Sequence, residues 1–130
     1  MRASIALIAV VTAGAIAAAG ASVAAGAAGP TITANPKTVS RTAIQTVHGR
    51  GWPVIEFCSR TVRVSVRSPQ NIVPIAQRHI RDTGRFTFRW IPKNKNVGRG
   101  SWRLVARMRC ESGKDGSTFF VRASRRITVS

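Results

Sequence analysis

Three stretches of the chain set arginine among apolar and hydroxyl residues at alternating positions. They are Thr61-Val62-Arg63-Val64-Ser65-Val66-Arg67, Arg85-Phe86-Thr87-Phe88-Arg89-Trp90 and Trp102-Arg103-Leu104-Val105-Ala106-Arg107-Met108-Arg109. A guanidinium is a planar fork of N–H donors that fits phosphate and carboxylate, so arginines gathered on one surface hold anions. A period of two is also the mark of a half-buried β-strand. The residues that could do chemistry are therefore interleaved with the residues that must form a core. Val62, Val64 and Val66 face one way, and Arg63 and Arg67 the other. Trp102, Leu104, Ala106 and Met108 point inward, leaving Arg103, Arg107 and Arg109 outside. Near the C-terminus Phe119, Val121, Ala123, Ile127 and Val129 share a face, with Arg122 and Arg126 opposite. Arg125 falls on the inner parity, which calls for a bulge or an early end to burial.

Other chemistry is poorly provided for. Acid–base catalysis needs carboxylates with opposed environments, and Glu56, Asp82, Glu111 and Asp115 fall in loops and turns. There is no Gly-x-Ser-x-Gly elbow, Walker loop or His-Glu-x-x-His. His48 and His79 lack zinc-ligand spacing. The expectation is a protein without catalysis, cofactor or metal. Cys58 and Cys110 are the two cysteines. In an exported chain an even count implies a disulfide, with buried free thiols as the alternative. The ring would enclose about 50 residues, worth about 4 kcal/mol in chain entropy.

Export is read from the first residues. Met1-Arg2 is a positive start, Ile5–Val11 opens an apolar run, and Ala25-Gly26-Ala27 fits a small-x-small cleavage site. Residues 1–27 read as a secretory signal peptide; the rival reading is an uncleaved membrane anchor. The remaining residues, 28–130, are enough for one domain with its own core. The whole chain carries a net +17. Without Arg2 the remainder holds 20 basic and 4 acidic residues, a net +16. Coding in a GC-rich genome accounts for 17 arginines against 4 lysines, but not for the shortage of acids. An anionic partner accounts for the shortage.

The elements that must carry the arginines are all strands. Thr31–Ala34 reads as a short edge strand, and Thr42–His48 alternates until Gly49-Arg50-Gly51-Trp52-Pro53. Arg60–Arg67 is stopped by Ser68-Pro69. Ile72–Ala76 with Gln77–Ile80 is demoted by Pro74 to an edge or bulged strand. After the Asp82-Thr83-Gly84 turn come Arg85–Trp90, Ser101–Cys110, a polar turn at Glu111–Gly116, and Phe119–Val129. About seven strands with frequent turns argue an all-β Greek-key sandwich. Trp90 and Trp102 should be buried with Val64, Phe86, Phe88 and Leu104, while Trp52, beside a turn, should be partly exposed.

Several marks in order resemble the immunoglobulin-like domains of small secreted actinobacterial proteins. They are Asn35-Pro36-Lys37-Thr38-Val39, Val47-His48-Gly49-Arg50-Gly51-Trp52-Pro53, Asp82-Thr83-Gly84-Arg85-Phe86, and Pro92, Gly98 and Gly100 before Trp102-Arg103-Leu104-Val105-Ala106. A looser likeness is to the neocarzinostatin-type apoproteins, which carry two disulfides where this chain has cysteines for one. The resemblance implies a non-catalytic extracellular module with no fixed ligand. It also implies a topology in which the third and sixth strands are antiparallel neighbours, so that Cys58 and Cys110 meet at one end of a sheet. With the seventh strand alongside, Arg63, Arg67, Arg103, Arg107, Arg122 and Arg126 would share one face, the candidate anion-binding surface.

Two functions fit this reading. One is a structural or protein-interaction module at the cell surface, its charge serving solubility or retention. The other is an extracellular binder of polyanions such as teichoic acid, anionic polysaccharide, lipid headgroups or nucleic acid. Specific nucleic-acid recognition is not expected, because the exposed face lacks interleaved aromatics for base stacking.

Overall fold

The computed structural model describes residues 29–130, so the leader expected at 1–27 lies outside the described residues. Two sheets face each other. One has three strands in the order β1 (Thr31–Asn35), β3 (Gln45–Arg50), β6 (Phe86–Trp90). The other has five, in the order β2 (Thr38–Val39), β8 (Thr118–Val129), β7 (Gly100–Glu111), β4 (Cys58–Arg67), β5 (Ile72–His79). Valine, threonine and aromatic residues at every second position make these segments fit a pleated, half-buried surface. A short 3-10 turn, Pro92–Lys95, lies between β6 and β7.

Among the described residues eight strands form where about seven were expected. The extra one is β2, and Pro36 explains it. Proline has no N–H for a ladder, so the first strand breaks there. Its first half pairs antiparallel with β3, and its second pairs parallel with β8 in the opposite sheet. Gln45 secures this crossing: fully buried, it donates from Nε2 to the Pro36 carbonyl at 2.7 Å and accepts from Trp90 Nε1 at 2.9 Å. The strand expected from Thr42 begins only at Gln45, because Ala43 N–H bonds the Ser40 carbonyl and closes a turn first.

The core forms as the alternation requires. Val62, Val64, Val66, Phe86, Phe88, Trp90, Trp102, Leu104, Ala106 and Met108 are all buried, and Arg103 is exposed. Pro74 sits on the edge strand β5, where the β4–β5 register shifts between Val64 and Ser65. Ile75 is the extra residue there, and it turns into the core.

Two expectations fail. Trp52 is buried, at 2 % exposure, although it lies beside a turn. Its ring packs 5.9 Å from that of Phe86, and its backbone N–H donates to the Gly84 carbonyl at 3.1 Å. Gly84 has φ +74°, and a Cβ there would stand 2.6 Å from Trp52 O. The Gly49–Pro53 and Asp82–Gly84 turns thus pack on each other. The second failure is on β8. Ile127 and Val129 are buried, but Phe119, expected on the same inner face, is 47 % exposed; Arg125 is in solvent, which is the early end to burial that its parity called for. No bulge intervenes, since the β7–β8 register runs unbroken from Gly100 opposite Val129 to Glu111 opposite Thr118. Cover is what ends: β1, which packs against β8 from the other sheet, has five residues against twelve.

Candidate anion-binding face

The registers of β4, β7 and β8 decide where the arginines go. Arg63 lies opposite Arg107, which lies opposite Arg122. Arg67 lies opposite Arg103, which lies opposite Arg126. All six expected residues therefore stand on the outer face of the five-stranded sheet, in two rows of three that cross it at right angles to the strands. Strands are about 4.8 Å apart and residues rise about 3.3 Å, so each row spans about 10 Å and the rows are about 13 Å apart. Directly opposed like charges repel across strands, and here each row does so twice.

Between the rows lies Ser65–Val105–Ser124. Val105 points outward, yet it is buried. Arg67, Arg103 and Arg122 line the hollow around it; Arg103 and Arg122 are exposed, while Arg67 is half-buried and its Nε is buried without a partner. Arg103 Nη1 donates to Ser124 Oγ at 3.3 Å. Arg107 lies over the Phe120 ring, 4.9 Å from its centroid. These contacts fix some of the guanidinium positions without neutralising any of them.

The rows continue into a depression of about 490 Å³ near the disulfide. Arg63, Arg107 and Arg109 supply guanidinium groups to it, Ser59, Thr61 and Thr118 supply hydroxyls, and Gln77 supplies an amide. Phe120 forms part of its wall. Such a set offers many donors and no carboxylate, which suits an oxyanion. Arg109 was expected outward but not in the site; its place follows from the same alternation. Gln77 could not be read from alternation, because the Ile75 bulge changes the parity before it reaches its place opposite Arg63. Phe120 corrects the expectation of a face without aromatics: it lies across from Arg109 on the outer parity and is 43 % exposed.

Cys58 and Cys110 form the expected disulfide, with S–S 2.02 Å. They lie directly opposite each other on β4 and β7. Their Cα atoms are 4.0 Å apart, closer than the 4.4 Å or more that is usual. Glu111 N–H bonds Phe57 O at 2.8 Å, so the cysteines occupy the narrow, non-hydrogen-bonded position of the ladder. The bond thereby clamps the two central strands beside the depression.

Acids do little to offset the arginines. Among the described residues the one ion pair is Arg60 Nη2 to Asp82 Oδ1 at 2.7 Å, and it joins β4 to the turn after β5, with Asp82 almost wholly in water. Glu111 does lie on the outer parity, at the disulfide end opposite Thr118. Asp115, in the β7–β8 turn, is held below the usual carboxylate range by the Ser117 N–H, which donates to it at 2.9 Å.

Fold and site together define a disulfide-clamped, two-sheet β-sandwich with an arginine-lined outer face. The chain matches no protein-family profile, no curated protein and no solved structure.

Proposed function

We propose that the chain is an extracellular, non-catalytic module of immunoglobulin-like Greek-key type that binds polyanions through the β4–β7–β8 face. The observation that carries this reading is the two registered rows, Arg63–Arg107–Arg122 and Arg67–Arg103–Arg126. A charge excess spread for solubility would scatter its arginines, whereas opposing them across strands adds repulsion that a bound polyanion relieves. The immunoglobulin-like assignment is supported by the split first strand and by the antiparallel neighbours β4 and β7. Secretion is supported by the disulfide, since such bonds persist in oxidising compartments.

The ligand class is a chain of phosphate, sulfate or carboxylate groups: teichoic acid, anionic polysaccharide, a lipid headgroup surface or a nucleic-acid backbone. A row about 10 Å long accommodates two or three such groups. Retention on heparin and on anionic vesicles across a salt gradient tests the reading. Each phosphate neutralised releases condensed counterions, so affinity should fall steeply with salt. Retention that is weak at low salt, or independent of salt, contradicts it. The alternative structural or protein-interaction role gains support from a different feature, the free side of β8.

A further inference from the structure

β8 is paired on one side along its whole length, Thr118–Val129 against Glu111–Gly100 of β7. On the other side, β2 covers only Thr128 and Val129. Thr128 N–H donates to the Lys37 carbonyl on that side, at 3.0 Å. Backbone groups alternate sides along a strand, so Phe120, Arg122, Ser124 and Arg126 present both N–H and C=O to the same open flank. Among the described residues no strand pairs with them there. An edge of this length is a template for another chain.

We infer that this flank accepts an extended acidic peptide as an added strand, in line with β2. Residues of the incoming strand opposite Arg122 and Arg126 would lie on the outer face, at the ends of the two arginine rows, where carboxylates pair with them. The residues opposite Val121 and Ala123 would lie on the inner face. Both of those are half-buried against the core and lack full cover. Small apolar side chains fit there. The matching strand thus carries acids at alternate positions and apolar residues between them.

Charge selects the occupant. A second copy would set Arg122, Arg125 and Arg126 against their equivalents, which is destabilising. The chain's first 28 residues contain no Asp or Glu, so that segment cannot supply the pairing either. A strand bearing carboxylates meets both demands, and it differs from a polyanion on the face because it needs backbone hydrogen bonds.

That difference gives the test. A peptide alternating Glu with Val is titrated against the full chain, beside a peptide of equal charge with Pro at two of the Val positions. In a strand parallel to β8, as β2 is, the Val residues point their N–H groups at the flank, so proline there removes ladder donors but no charge. The first peptide should bind at least about tenfold more tightly. Ser124→Pro in the protein removes an N–H that faces the open flank and serves no pairing within the fold. It should weaken the Glu/Val peptide about as much, whereas Ser124→Ala, which loses the same Arg103 contact but keeps the N–H, should bind that peptide like the parent. Equal binding of the two peptides means charge capture at the face and overturns the inference. So does binding of neither peptide, which means that the flank is covered by the chain itself or by a second copy. Heparin retention is read separately, so failure here leaves the polyanion reading untouched.

Discussion

Gln45 shows how one buried polar side chain can hold a fold together. It has no access to water, and both of its contacts are to groups that would otherwise be orphaned: the Pro36 carbonyl and the Trp90 indole N–H. Gln45→Met keeps the volume and removes both partners. Each buried group left unsatisfied costs about 1–3 kcal/mol, so denaturant unfolding should show a loss in that range or up to twice it. Gly84→Ala should also destabilise, by about 1–3 kcal/mol, because the left-handed φ and the Trp52 carbonyl both oppose a Cβ. At Asp115 the effect is one of pH. Its carboxyl titrates below the usual range because the Ser117 N–H bonds the charged form. That contribution to the turn is complete above the unfolded carboxylate value and is lost as pH falls through the lowered one. An NMR titration of Asp115 should place its midpoint below those of ordinary exposed carboxylates.

The elements differ in how openly the sequence announces them. In β7, Trp102, Leu104 and Met108 alternate with Arg103, Arg107 and Arg109, so its register and both faces are legible from residue types. β4 is equally plain. β2 is not, because two residues carry no period and only the proline before them signals a break. β8 has the right parity but the wrong burial toward its start, since cover depends on the length of a strand in the other sheet. The face follows the same division. Its six arginines could be read from alternation and strand order, but Gln77 sits beyond a bulge and the hydroxyls of Ser59, Thr61 and Thr118 carry no signal of their own. Trp52 was misplaced because the turn it adjoins folds back onto Phe86. At this scale the disulfide makes a clear prediction. It links β4 to β7 across a sequence separation of 52, and its removal by Cys58→Ala with Cys110→Ala should cost about 4 kcal/mol. Calorimetry of the double variant checks this, and the salt dependence of heparin retention should change little if the face survives.

At the scale of the molecule, the smaller sheet closes the core and the larger one carries the proposed binding face. The smaller sheet also carries arginines, Arg50 on β3 and Arg89 on β6, with Arg85 just before β6, all exposed. They have the same charge but no rows, and they provide an internal control. The most direct measurement compares two triple variants on heparin across a salt gradient: Arg63, Arg103 and Arg107 to Gln, and Arg50, Arg85 and Arg89 to Gln. Both remove three charges. Exposed charges contribute little to folding, so the thermal midpoint of the second should stay near that of the parent, and that of the first should fall only slightly, since Arg107 is half-buried over Phe120. If the face is the binding surface, the first variant elutes at clearly lower salt and its logarithmic salt slope falls by about three, while the second shifts only slightly. Equal shifts in the two variants would show that net charge alone is at work and contradict the account.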